Sequence, residues 1–315
     1  MKKIQTWLAG LLVVQIALAG GLLWNSQQGQ SSHQAQPLLS FDSGQVDRAV
    51  ITGEDKNITL KKVSGEWQLA DNSLPADTQK VVDELNKLQQ LKAGWPVAST
   101  QSSHERFEVS DDTFQRHVEL YQGDNKVAEL YLGSSPGFRQ INIRRPGDDN
   151  VYNATLATYE FPLDDQGWLD RSLLAVKDIS TIKGSDYTLK KADKNWQLLT
   201  ADGQSTEQVD KDKAETLAKA LDELKVLSVV ADKKEVPDQP ATEITVNSGD
   251  KNWNYHFSQR NDNYYVSRSD LDAVFKISKP TFESIVDVKE PQLAGSSQSE
   301  DDSSGSGTEA TNSQS

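Results

Sequence analysis

The sequence predicts an α+β chain of two tandem repeats, each a mainly antiparallel sheet with hairpins and one principal amphipathic helix, behind an N-terminal transmembrane helix. Three observations predict it. The eleven residues TLKKVSGEWQL, Thr59 to Leu69, return as TLKKADKNWQL, Thr188 to Leu198. Four further matches follow in the same order: DELNKL from Asp83 with DELKVL from Asp222, VELYQGDNKV from Val118 with ITVNSGDKNW from Ile244, INIRRPGDDNVY from Ile141 with YYVSRSDLDAVF from Tyr264, and TYE at Thr158 with TFE at Thr281. Matches in one order at a nearly constant offset mark a duplicated domain. Ahead of both copies stands the uncharged run WLAGLLVVQIALAGGLLW, Trp7 to Trp24.

Taken in order, residues 1–6 are a short cytoplasmic N-terminus and 7–24 a signal anchor. Eighteen residues at about 1.5 Å each reach roughly 27 Å, enough for a bilayer core. Trp7 and Trp24 sit at the two membrane interfaces, and Lys2 and Lys3 hold the N-terminus inside. Ala17-Leu18-Ala19 also reads as a signal-peptidase site before Gly20. The segment is therefore a retained anchor or a cleaved leader, and apolar character through Leu22, Leu23 and Trp24 favours the anchor. Residues 25–37 are polar and without period, a flexible tether. The first α+β repeat spans 38–175 and the second 176–293. Residues 294–315 are acidic, Ser/Gly-rich and free of aromatics, a composition that buries too little surface to fold.

Within each repeat the local signals agree. NITLKKV and EWQLAD alternate around Ser64-Gly65, a hairpin signal. Asp77 caps a helix reaching about Leu91, with Val81, Leu85 and Leu88 on one stripe; Asp210 caps its counterpart, with Ala214, Leu217, Leu221 and Leu224. Two more hairpins turn at Gly123-Asp124-Asn125 and Gly147-Asp148-Asp149, and their counterparts near Gly249-Asp250 and Ser269-Asp270. Trp168 to Ile179 connects the repeats. One helix against an antiparallel sheet is an α+β unit.

Composition excludes several classes. The 315 residues carry a formal charge of −14, and no basic run with interleaved aromatics occurs, so nucleic acid is not a partner. Cysteine is absent, which removes disulfides, thiolate metal sites and thiol catalysis.

The residues that could carry chemistry each have a plainer role. Trp67 and Trp196 are repeat-equivalent and read as core; Trp95 and Trp168 are the candidates for exposed aromatic contacts, and Trp253 completes the set. Asp111-Asp112, Asp148-Asp149 and Asp164-Asp165 could serve as paired carboxylates, but each lies beside turn residues, where Asp is favoured for local hydrogen bonds. His33, His104, His117 and His256 show no metal-ligand spacing, and no G-x-S-x-G, phosphate-binding loop or G-x-G-x-x-G is present. No catalytic, cofactor-binding or metal residue is therefore expected, and no cofactor.

Trp67-Gln68-Leu69, Pro75-Ala76-Asp77, Val127 to Gly133, Val151-Tyr152 and Trp168 to Leu174, behind a membrane segment, resemble the domain of unknown function 4340 family. The resemblance runs from about Val46 to Leu293 and is clearer in the first repeat. Members often carry a Tyr-Gly-Leu step before the central hairpin, where this chain has ERFEVSDDTF. The family has no established activity, and its genes tend to lie beside those of a gliding-motility-type ABC transporter. Together, topology and resemblance imply a non-enzymatic periplasmic accessory or scaffold component of an envelope ABC transport system. It would be single-pass in the bacterial inner membrane, with transporter subunits as partners. The alternative is a periplasmic binding module that holds a peptide or polysaccharide at the junction of the two repeats.

Overall fold

The structure is a computed structural model that describes residues 36–193, 195–199, 205–206 and 209–294. The expected anchor Trp7–Trp24, nearly all of the tether and the tail beyond Ala294 lie outside the described residues. Among the described residues no helix is long and apolar enough to cross a membrane. The chain divides into two compact units between Asp170 and Arg171. It is built mostly of antiparallel strands in two large sheets, with few helices.

The first unit contains β1 (Gln36–Pro37), β2 (Arg48–Thr52), β3 (Asn57–Val63), β4 (Glu66–Leu69), β5 (Lys92–Ala93), β6 (Arg116–Gln122), β7 (Asn125–Leu132), β8 (Ile141–Arg144) and β9 (Tyr152–Ala154). Seven of these make one sheet in the order β4-β3-β2-β6-β7-β8-β9. The β3–β4 turn places Ser64 and Gly65 at φ 53° and 94°. Two consecutive positive φ values match the right-handed twist of a tight hairpin, and glycine adopts the second without a Cβ clash. Helix α1 (Thr78–Gln89) starts where the Asp77 carboxylate accepts a 3.0 Å bond from the Lys80 amide. Its buried Val81, Leu85 and Leu88 face Ala49, Ile51, Leu60, Val118 and Leu120 of the sheet, with Phe161 and Trp168 closing the side.

The second unit contains β10 (Thr181–Lys183), β11 (Thr188–Ala192), β12 (Asn195–Leu199), β13 (Ser205–Thr206), β14 (Ser228–Val229), β15 (Thr242–Ser248), β16 (Lys251–Arg260), β17 (Asn263–Arg268) and β18 (Val274–Ile277). Its order is β13-β12-β11-β10-β15-β16-β17-β18-β14. The central seven strands repeat the first sheet's order. Register repeats as well. Leu60↔Leu69, Lys61↔Gln68 and Lys62↔Trp67 return as Leu189↔Leu198, Lys190↔Gln197 and Lys191↔Trp196. Trp67 and Trp196 thus hold one position, and both are buried. Helix α2 (Lys211–Asp222) is capped by Asp210 and buries Ala214, Leu217 and Leu221. After the last strand, Thr158 opens a single 3-10 turn, Thr158–Glu160, whereas Thr281 lies in a full helix, α3 (Lys279–Val286), that adds Phe282, Ile285 and Val286 to the core.

Several expectations need correction. The match between DELNKL and DELKVL is not structural: aligned by their caps, Asp83 corresponds to Thr216, and DELKVL runs off the end of α2. The strands after each helix form a continuous meander, since β7–β8 and β16–β17 are hairpins too. The tether ends earlier than expected, because Gln36 and Pro37 pair with Ala93 and Lys92 while Leu38 and Leu39 are buried. Ala294 bridges to Val209 beside the fully buried Leu293, so it belongs to the fold and not to the tail. The division between units falls a few residues before 175/176, because Leu174 and Val176 already bond within the second unit. The Tyr255 hydroxyl donates to the Leu174 carbonyl at 2.6 Å and the Val176 amide to Leu221 at 3.2 Å.

The cap alignment exposes one difference between the cores. Glu84 occupies the position of Leu217, which is fully buried. The Glu84 side chain is nearly buried too, with one carboxylate oxygen 3.0 Å from Lys87 and the other without a partner. Burial pushes its pKa up, against the opposing pull of Lys87. A carboxyl whose folded pKa is raised contributes stability below its unfolded pKa, and that contribution is lost as pH rises through the folded value. Glu84→Leu should therefore raise stability at neutral pH by about 1 kcal/mol and flatten the fall in melting temperature between weakly acidic and neutral pH. Thermal denaturation across that range checks it. Conversely, Leu85→Asp and Leu221→Asp should each cost at least about 3 kcal/mol by burying an unpaired carboxylate. Circular dichroism with limited proteolysis should show each substitution unfolding its own unit alone.

Candidate functional site

Strand alternation sends Val118 and Leu120 of β6 toward α1, so His117, Glu119 and Tyr121 line the opposite face. Cross-strand register sets Tyr121 beside Arg48, Glu119 opposite Glu129, His117 opposite Tyr131, and Tyr131 opposite Arg144. The result is a continuous polar and aromatic row across the outer face of the first sheet. The Arg48 guanidinium lies 4.0 Å from the Tyr121 ring centroid, and the Tyr121 hydroxyl donates to Glu119 at 3.1 Å. Lys126 bridges the two carboxylates, 2.9 Å from Glu119 and 2.5 Å from Glu129. His117 Nε2 is 2.7 Å from Glu129 Oε1. Its ring stacks on Tyr131 at 4.4 Å and 19°, with Phe114 tilted 5.6 Å away.

Two like charges directly opposite on neighbouring strands repel unless a cation joins them. Burial would raise the Glu119 pKa, but the bonds from Lys126 and Tyr121 outweigh it and hold the carboxyl below its ordinary value. The hydrogen bonds that Lys126 donates to Glu129 and Glu119 in turn hold its ammonium protonated well above its ordinary range. At the far end of the row, burial and the nearby Asp111 and Glu129 push the Tyr131 hydroxyl up to about 12.

Arg144 anchors that end. Its side chain is only 4% exposed, lies over the Tyr131 ring, donates to the Val109 carbonyl at 2.6 Å and pairs with Asp111 at 2.5 Å. Val109, Tyr131 and Val151 form a small core under the 94–114 loop, with Phe107 and Phe114 packed on it. The loop lies flat here because Gly133 has no Cβ: one would sit 2.0 Å from the Phe107 carbonyl oxygen. Beside Phe114, a groove of about 650 Å³ runs between the β2–β3 turn (residues 53–56), residues 112–116, Thr158 and Leu163.

The residues singled out in the sequence disperse. Trp95 is 75% exposed on the loop after β5. Trp168, expected to be exposed, is instead 2% exposed. Its indole donates to the Pro162 carbonyl at 2.9 Å and its own carbonyl accepts from the Asp77 amide at 2.7 Å, so the first core recruits what looked like linker. Trp253 is half-buried. Asp148 and Asp164 cap turns, bonding the amides of Asn150 and Gly167. His104 is buried against the Asp149 carbonyl, and His256 stands 3.5 Å from Glu243. His33, Trp7 and Trp24 lie outside the described residues. Sequence spacing suggested no metal ligation by histidine, yet the sheet brings ligand atoms of His117, Glu119 and Glu129 within 4.8 Å of one another. Phe138 and Tyr159, which the sequence did not single out, are 90% and 67% exposed.

A lysine cannot span from Asp111 to the Val109 carbonyl as the Arg144 fork does. Arg144→Lys should therefore cost about 2 kcal/mol, whereas Asp111→Asn should cost less than about 1 kcal/mol, because Asp111 is 74% exposed. Denaturant titration of the two variants gives the comparison.

The family described as "Domain of unknown function (DUF4340)" matches residues 67–243 of the chain. No curated protein and no solved structure matches it.

Proposed function

The chain belongs to the family of the domain of unknown function DUF4340, and on that premise we propose that it is a non-enzymatic accessory or scaffold component of an envelope ABC transport system. Trp7–Trp24 anchors it in the bacterial inner membrane, the bulk of the chain lies in the periplasm, and its partners are membrane-embedded transporter subunits. Its two sheets derive from one duplicated domain, a reading supported by their shared strand order and register.

One observation carries the scaffold reading: large apolar side chains are exposed on braced loops of the first unit. Trp95, Val97, Phe138 and Tyr159 are 75%, 48%, 90% and 67% exposed. The Val97 amide bonds the Val151 carbonyl, the Ser135 hydroxyl contacts the Gly137 and Gln140 carbonyls around Phe138, and Tyr159 sits within a 3-10 turn. Aromatic side chains on loops that are already ordered make effective protein-contact anchors, because little further ordering is needed on binding. The small residues Gly10, Ala17, Gly20 and Gly21 in the anchor would let a partner helix approach closely.

Replacing Trp95, Phe138 and Tyr159 together by alanine should leave the melting profile intact. Recovery of transporter subunits, measured by mass spectrometry after purification from native membranes, should fall about tenfold or more. Replacing Trp7–Trp24 with a cleavable signal should release folded units and abolish the cellular phenotype. Full complementation by that released form would refute the scaffold reading. The alternative, a periplasmic binding module for a peptide or polysaccharide, expected from the sequence at the junction of the repeats, is supported only by a 650 Å³ groove whose lining belongs to the first unit.

A further inference from the structure

The Glu119–Glu129 pair is not something the fold requires, and the second unit demonstrates why. Register places Val118↔Leu130 of the first sheet on Ile244↔Tyr255 of the second, so Glu119↔Glu129 corresponds to Thr245↔Asn254. There the same two positions are joined by a neutral 2.9 Å hydrogen bond. The first unit instead sets two carboxylates face to face and adds an imidazole two residues along the same strand face. His117 itself corresponds to Glu243. Nothing about covering the sheet calls for that substitution.

We propose that His117, Glu119 and Glu129 form a divalent transition-metal site, and that the Lys126 ammonium holds the ion's place when no metal is bound. The donor set is one imidazole nitrogen and two carboxylate oxygens, which suits zinc and its neighbours better than magnesium or calcium, ions that prefer oxygen alone. Tetrahedral zinc with these ligands at about 2.0–2.1 Å separates donor atoms by about 3.3 Å. The His117–Glu129 contact of 2.7 Å needs to open by only about half an ångström. The imidazole stacks on Tyr131 and Phe114 packs beside both rings, so its direction toward the carboxylates is set before any ion arrives. Three protein ligands leave a fourth position for water or a partner's side chain.

Lys126 can make way. It is 40% exposed, stands near the hairpin turn at Gly123, and carries a flexible four-carbon stem. Its single charge leaves the carboxylate pair one unit negative, whereas a divalent ion neutralises both. The lysine therefore competes with the metal and tunes its affinity.

The full chain, purified and stripped with chelator, is titrated with zinc by calorimetry and melted with and without the ion. One equivalent should bind at this site. Glu119→Thr with Glu129→Asn, which copies the second unit, should stay folded in chelator and weaken zinc binding by about a hundredfold. Lys126→Met should tighten it about tenfold and melt lower in chelator, with zinc restoring the melting temperature. His256→Ala should leave the titration unchanged. The proposal is overturned if the double variant binds zinc as well as the wild type, or if Lys126→Met binds no more tightly. A gain of affinity is a result that misfolding cannot produce.

Discussion

Each sheet offers two faces, and a short capped helix, α1 in the first unit and α2 with α3 beside it in the second, packs over the apolar one. Everything else follows from how that cover is held. Asp77 and Asp210 fix where α1 and α2 begin, and the stripes Val81-Leu85-Leu88 and Ala214-Leu217-Leu221 then land on the inward positions of the central strands. A slip of one residue in any of those strands would exchange buried and exposed side chains along its length. The tryptophan at the first hairpin, Trp67 or Trp196, sits fully inside and makes such a slip costly. Both cores therefore keep the same strand order and the same pairing, although their sequences differ nearly everywhere else.

Because the cover acts on one face only, the other face is free to change. In the second unit it carries a neutral Thr245–Asn254 bond and a loose His256–Glu243 contact. In the first it carries the row from Arg48 to Asp111, held by alternating charge and aromatic contacts, with its Tyr131–Arg144 end under the 94–114 loop. The two units share an architecture and differ in chemistry on the face that the helix does not use.

The parts of the fold legible in the sequence are those set by local rules. The two aspartate caps, the Ser64-Gly65 turn and the buried helix stripes each depend on a few neighbouring residues, and all stand as expected except Leu224, which is buried but lies just beyond the end of α2 at Asp222. The outer row was hidden by a single irregularity. Counting back from the Gly123 turn, Gln122 pairs with Asn125 and Tyr121 with Lys126, which would set Glu119 opposite Ala128. A bulge between Leu120 and Tyr121 shifts the count by one residue, so Glu119 meets Glu129 instead. No local pattern announces a bulge of this kind, so the charged pair was out of reach. Trp168 failed for a different reason. Its neighbours DDQG read as linker, and only the distant contacts with Asp77 and Pro162 draw it inside.

The outermost strands have company that the sheet order alone understates. In the second unit the two-residue strands β13 and β14 lie beside β12 and β18. In the first the chain itself does the same work with isolated bridges. Gln68 meets Pro75 with bonds from Leu69 to Leu74 and from Ala76 to Trp67, and Val151 exchanges bonds with Val97 and Ala98. Rows of unpaired amides and carbonyls are what allow one protein to extend another's sheet, in fibrils or by strand donation. Those rows are largely occupied here. Among the described residues, two copies brought together would find little backbone to zip together, and a visiting peptide little to lengthen, so recognition falls to side chains.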